Sequence, residues 1–151
     1  MAESTRSFLF PDVNVWMALT CDRHVHHETA KAWFMSLGPN ARLFFCRITQ
    51  LGLLRLLTTE AVMGKEDVLN QVGAWKAYDQ WFQDDRVSFL DESPGVEPDF
   101  RARASSRQAS PKDWADSYLA AFAASSNLTI VSFDRGFRNK SGRGLILEAK
   151  V

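Results

Sequence analysis

Residues 8–16 read Phe-Leu-Phe-Pro-Asp-Val-Asn-Val-Trp, and the reading of this stretch decides the fold. Phe8 to Phe10 form a short apolar run that suits a buried strand of a parallel sheet. Pro11 closes the run, because proline cannot donate to a sheet ladder. Val13, Val15, Trp16, Met17 and Leu19 then predict a short helix. Asp12 therefore stands at a strand-to-helix turn, and in open α/β sheets sites form outside the carboxyl ends of the strands. Aspartate at that position also suits plain helix capping. A chemical role for Asp12 requires partners that return to the same edge.

Working outward, short apolar runs alternate with segments of helical period. Val25, Ala30, Trp33, Phe34 and Leu37 predict a helix over 25–37, ended by Gly38-Pro39-Asn40. Leu43–Cys46 predicts a second strand, and 47–58 a helix with Gln50 among its first residues. Residues 59–65 predict a loop, 66–82 a longer amphipathic helix, and Val87–Leu90 a third strand. The prolines between 91 and 111 predict a loop with a turn of helix near 99–107. For the helix over 111–124, Ser110 suits the N-cap, Pro111 the first helical position and Asp113 the acid of a capping box. Capping does not reach Asp116. Leu128–Val131 predicts a fourth strand, Ser132-Phe133-Asp134-Arg135-Gly136 leaves it, and Leu145–Leu147 predicts a last edge strand. This alternation implies one α/β domain over residues 1–151. Its expected form is three layers, with helices on both faces of a mainly parallel sheet of four to five strands.

Composition excludes several classes. The chain has 151 residues, 46% of them apolar, which suits a globular domain and not a disordered one. No apolar stretch has the length of a membrane span, and the N-terminus lacks the apolar core of a secretory signal. Cys21 and Cys46 have no framework spacing and are read as reduced thiols of a cytoplasmic protein. His24, His26 and His27 are read as a solvated helix start, because no nearby cysteine or acid completes a zinc set. Basic and acidic residues balance at 18 each, so bulk charge does not point to nucleic acid. Two runs are locally basic. One carries Arg101, Arg103, Arg107 and Lys112, the other Arg135, Arg138, Lys140 and Arg143. Either they hold phosphates, or they form a solvated face that balances the acids at 84–99.

Asp12 and Asp134 follow strands, and Asp116 lies in the first turns of a helix. In right-handed parallel units these positions share one sheet edge. Like charges at 4 Å repel by roughly 4 kcal/mol at an effective dielectric near 20, so three converging carboxylates call for a cation. Oxygen ligands select a hard ion, Mg2+ or Mn2+. Such an ion suits phosphodiester hydrolysis.

Asp12 with Asn14 after a strand, the Trp-Ala-Asp-Ser-Tyr-Leu-Ala-Ala-Phe-Ala helix start and Val-Ser-Phe-Asp-Arg-Gly-Phe together resemble the PIN-domain ribonucleases. The likeness is closer to the VapC toxins of bacterial toxin–antitoxin pairs. Arg47-Ile-Thr-Gln-Leu-Gly-Leu-Leu-Arg-Leu-Leu-Thr58 is similar to the matching helix of one VapC branch, and the resemblance spans about residues 7–147. It implies a magnesium-dependent endoribonuclease that cuts structured RNA of the tRNA or rRNA class, restrained by a VapB-type antitoxin and forming a homodimer. It assigns Asp12 and Asp116 as principal metal ligands and Asp134 as a third carboxylate. Ser132 matches the small hydroxyl residue two positions before that acid. Gln50 stands where many relatives carry glutamate, and is expected to hold a water beside the metal by hydrogen bonds. Arg135, Arg138 and Lys140 are the expected RNA contacts. The helices over 47–58 and 66–82, with Trp75 and Trp81, are the expected antitoxin surface. A phosphatase of the haloacid-dehalogenase type would need a second aspartate at Asn14, and a receiver domain an acidic pair that Pro11-Asp12 does not supply. A catalytically weakened PIN-like binding module is the remaining alternative.

Overall fold

The chain alternates strands too short to stand alone with helices that each carry one apolar stripe, so it folds by layering them. A computed structural model describes residues 7–137 and 144–148. In order it contains β1 (Ser7–Pro11), α1 (Val13–Thr20), α2 (His27–Met35), β2 (Ala41–Phe45), α3 (Arg47–Leu57) and α4 (Glu60–Met63). There follow α5 (Gln71–Trp81), β3 (Val87–Phe89), α6 (Val96–Arg103), α7 (Asp113–Ser125), β4 (Thr129–Ser132) and β5 (Gly144–Ile146). The strands form one sheet in the order β3-β2-β1-β4-β5, and all four pairings are parallel. No helix among the described residues is long and apolar enough to cross a membrane.

Strand alternation divides the core between the two faces of the sheet. Leu9, Leu43, Phe45 and Val131 pack with α1, α2, α3 and α5. Phe10, Ile130 and the neighbouring Cys46 pack with α6 and α7. The three-layer α/β/α arrangement follows directly. Trp16 anchors the first face: its ring stacks on Phe45 at 4.0 Å and 13°, an arrangement worth about 0.5–1.5 kcal/mol beyond burial. α1 and α3 cross closely at Gly52, where a Cβ would meet Val13 Cγ2 at 2.6 Å.

Several local expectations change. The 59–65 loop contains α4, closed by Gly64 at φ +84°. The helix expected over 66–82 begins only at Gln71, because Asn70 caps it through the Gly73 N–H at 2.8 Å. The turn of helix expected near 99–107 lies earlier, over Val96–Arg103. α7 starts at Asp113 and not at Pro111. Ser110 takes no side-chain cap role; its carbonyl accepts the Asp113 N–H at 3.0 Å in a preceding turn. This moves Asp116 into the first helical turn, where an acid is also favoured by the helix dipole. The histidines are not a solvated start. His27 Nδ1 lies 2.7 Å from the Ala18 carbonyl, His24 Nδ1 accepts the His26 N–H at 3.0 Å, and the His26 ring stacks on Phe133 at 4.4 Å. Cys21 and Cys46 are free thiols.

Candidate active site at the sheet edge

β2 and β3 lie to one side of β1, and β4 and β5 to the other. The chain therefore changes direction across the sheet between β1 and β4, and a crevice opens beyond the carboxyl ends of such a strand pair. Asp12 leaves β1 at that point. It caps α1 at this edge, so capping does not remove it from the position a chemical role requires. Oδ1 accepts the Val13 N–H at 2.7 Å, and Oδ2 accepts the Ser132 hydroxyl at 3.1 Å from across the sheet.

Ser132 is fully buried at the end of β4. Its Oγ also accepts the Asp134 N–H at 3.0 Å and lies 3.4 Å from the Asn14 amide nitrogen. Asn14 Oδ1 in turn lies 3.5 Å from the Phe133 N–H. A polar clasp thus joins the turn after β1 to the turn after β4. Asp134 is shaped by its own turn, in which the Gly136 N–H donates to Oδ1 at 2.8 Å.

Burial is the first cause that pushes the Asp12 carboxyl above its ordinary value, and the charges of Asp116 and Asp134 push it further. The Val13 and Ser132 hydrogen bonds oppose both. Asp12 therefore feels the other two acids, as their placement on one edge predicts. Yet among the described residues no three His, Cys, Asp or Glu side chains approach closely enough to make a ready-made metal cage. The two observations agree if the cation keeps much of its water. Mg2+ dehydrates reluctantly and is typically held through one or two carboxylates. Carboxylate oxygens are the donors such an ion takes, so Asp12 and its acidic neighbours fit it by chemistry.

Gln50 is buried, but its side chain turns to other partners. Oε1 accepts from Arg47 Nη1 at 2.6 Å, and Tyr78 is hydrogen-bonded to it. These residues line a recess of about 310 Å3 with Asp79, Phe82 and Phe89. The Arg47 guanidinium lies 4.8 Å above the Phe89 ring. None of the described hydrogen bonds of Gln50 goes to the three aspartates. The spacing of three between Arg47 and Gln50 on one helix permits this contact.

The basic runs divide. Arg101 pairs with Glu97 at 3.6 Å and Arg103 with Asp99 at 3.1 Å, both along α6. For those two, balance of neighbouring acids is the observed arrangement. Arg135 is exposed and lies 3.5 Å from Glu148. Arg138, Lys140 and Arg143 fall outside the described residues. On the expected antitoxin surface, Leu53 and Leu57 are core, and Trp81 is half-buried with its Nε1 donating to Thr20 Oγ1 at 2.9 Å. Ile48, Leu51, Val72 and Trp75 remain exposed.

Comparison with known proteins agrees with this fold. The PIN domain family matches residues 9–142. Ribonuclease VapC41 of Mycobacterium tuberculosis (strain ATCC 25618 / H37Rv) is 39% identical, over 94% of this chain and 99% of that protein. The crystal structure of Mycobacterium tuberculosis VapC20, described as a sarcin-ricin loop cleaving toxin, superposes with a TM-score of 0.63 at 16% identity, covering 93% of this chain and 99% of that one. VapBC2 from Rickettsia felis, bound to a DNA fragment from its promoter, gives 0.64 at 11% identity, with 93% and 98% covered. The chain with Asp12, Ser132 and Asp134 at its β1–β4 edge belongs to the PIN-domain family, among its VapC members.

Proposed function

We propose that this protein is a metal-dependent endoribonuclease and the toxin of a VapBC-type pair, hydrolysing phosphodiester bonds in structured RNA of the tRNA or rRNA class. The observation that carries this reading is the Asp12 carboxylate, held over the β1–β4 crevice and destabilised by burial and by two neighbouring acids. Asp12, Asp116 and Asp134 would hold Mg2+ or Mn2+. When bound, that ion lowers the pKa of a water and offsets negative charge on a phosphoryl oxygen. The protein's own part is positional. Ser132 fixes one oxygen of Asp12 and the backbone of Asp134, and the Val13 N–H fixes the other oxygen of Asp12. Gln50 contributes by holding Arg47 and Tyr78 rather than by direct contact with the acids. Arg135, with Arg138 and Lys140, grips the RNA backbone.

The partner in this reading is a VapB-type antitoxin whose apolar segment covers Ile48, Leu51, Val72 and Trp75, and the toxin itself is a homodimer. Exposed apolar patches of this kind mark protein interfaces. A second reading, a PIN-like binding module with weakened catalysis, is favoured by the uncharged Gln50 side chain engaged with Arg47. Cleavage of a tRNA or rRNA fragment in Mg2+, in Mn2+ and in EDTA separates the two. An enzyme cuts only with metal and loses cleavage in Asp12→Asn and Asp116→Asn; a binding module retains the RNA uncut in every condition.

A further inference from the structure

A cavity of about 610 Å3 lies against the first two turns of α7, beneath the connection from α6. That volume falls in the range of roughly 300–1,000 Å3 typical of small-ligand pockets. Ala104, Pro111 and Ala120 make its apolar walls, and Ser106, Gln108 and Ser110 supply hydroxyls and an amide. The indole of Trp114 forms one side.

Two features narrow the occupant. Trp114 is 59% exposed on a helix whose later residues, Leu119 to Ala123, are all buried. The Phe100 ring meets it edge-on at 6.1 Å and 76°, so it is a supported aromatic face presented outward. The second feature is position. Asp113 and the buried Ser117 line the cavity, and Asp116, one residue from Ser117, is an acid whose charge reaches Asp12. The cavity therefore lies one helix position from one of the three acids. Of its charged wall residues, Arg103 is tied to Asp99, and Asp113 stands in the first turn of α7, where the helix dipole favours its charge. What is left is a flat aromatic side and neutral groups that both donate and accept, which suits a planar, polar-edged, uncharged guest better than a phosphate.

We propose that this cavity receives an unpaired nucleobase of the RNA beside the scissile phosphate. The proposal rests on the ribonuclease reading above. The base stacks on Trp114, and its edge is read by Gln108 with the Ser106 and Ser110 hydroxyls. Protein recognition of single-stranded RNA typically captures splayed bases on aromatic side chains in this way. Glutamine, with one acceptor and two donors, discriminates base edges.

The test uses the full-length protein in Mg2+ and short oligoribonucleotides with phosphorothioate linkages, which slow hydrolysis at the phosphate itself, four of them differing at one position. Fluorescence anisotropy gives the dissociation constants. Trp114→Ala is expected to weaken binding roughly tenfold or more, and Trp114→Phe to restore most of it, since phenylalanine also stacks. Gln108→Leu is expected to flatten the preference among the four probes. Equal affinity in wild type and Trp114→Ala overturns the proposal. So does loss of dimer in Trp114→Ala by sedimentation with oligonucleotide affinity unchanged, which would make the cavity a contact between two copies. Cleavage of natural RNA is followed in parallel. Cleaving wild type with an unaltered KM in Trp114→Ala sinks only the base pocket. Absent cleavage with Trp114-dependent binding sinks only the nuclease reading.

Discussion

Ser132 donates its hydroxyl hydrogen to Asp12 at 3.1 Å, joining residues 120 positions apart in the chain. The same oxygen accepts the Asp134 N–H at 3.0 Å. One buried hydroxyl thereby sets the spacing of two of the three acids. Ser132→Ala is expected to leave the Asp134 amide without its acceptor and cost about 1–3 kcal/mol of stability. Loss of such a supporting hydrogen bond also costs about 10–100-fold in metal affinity or activity. Thermal melting and metal titration of the same variant check both effects.

Asp12→Asn separates charge from capping, because asparagine caps helices as well as aspartate does. Without metal, the substitution removes a buried charge facing two like charges. The variant in EDTA is therefore expected to melt above wild type. In excess Mg2+ the order reverses: an ion at 100 times its dissociation constant stabilises wild type by about 2.7 kcal/mol. Melting curves that fail to cross between the two conditions would place the ion away from Asp12.

Gln50→Glu restores the residue that the VapC resemblance implies, but it does so 2.6 Å from the Arg47 guanidinium. The new charge is expected to pair with Arg47, so stability in EDTA falls little and Mg2+ affinity barely changes. Replacing Arg47 as well, in Arg47→Met with Gln50→Glu, frees that charge and is expected to tighten Mg2+ binding. Calorimetry on the two variants decides whether Arg47 is the reason.

The layers and the edge were legible in the sequence because both depend on periodicity. Apolar runs such as Phe8–Phe10, bounded by proline and aspartate, predict strands whose ends meet, and helix starts fall on the same side. The same argument puts Asp12, Asp116 and Asp134 on one edge of the sheet. α7 starts two residues after Pro111, since Ser110-Pro111 satisfies every local capping preference and only the tertiary course of the preceding loop overrides them. The pairing of Arg47 with Gln50 concerns side-chain rotamers, which composition does not specify. Trp114 was hidden for a different reason: it fits a helical pattern, and only the packed structure leaves it outside the core.

Gly52→Ala is expected to destabilise by about 1–3 kcal/mol, the usual consequence of overpacking. Its added methyl would meet Val13 Cγ2 at 2.6 Å, and Val13 carries the N–H that caps onto Asp12. Reduced metal affinity should therefore accompany the lower melting temperature. A loss of stability with metal affinity intact would show that the α1–α3 crossing does not position Asp12.

The Asp84–Arg86 pair gives a pH signature away from the site. Arg86 donates to Asp84 at 2.8 Å and 3.0 Å and holds its carboxyl below the ordinary value. A depressed carboxylate stabilises the fold above its unfolded pKa, and that contribution fades as pH falls through the folded value. Asp84→Asn should lower stability at pH 6–7 on the order of 1 kcal/mol. The gap to wild type should close at pH values below about 4. A gap independent of pH would assign the loss to packing.

The strand order has a consequence for synthesis. β1 leaves the ribosome early, but its neighbour β4 is made only after α1 to α7. Pairing of such distant segments is slow and waits for the whole intervening chain. A nascent or prematurely terminated chain ending before Thr129 carries Asp12 without the Ser132 clasp and without Asp134. If those residues form the catalytic site proposed above, an unfinished chain is expected to lack nuclease activity until β4 has paired with β1.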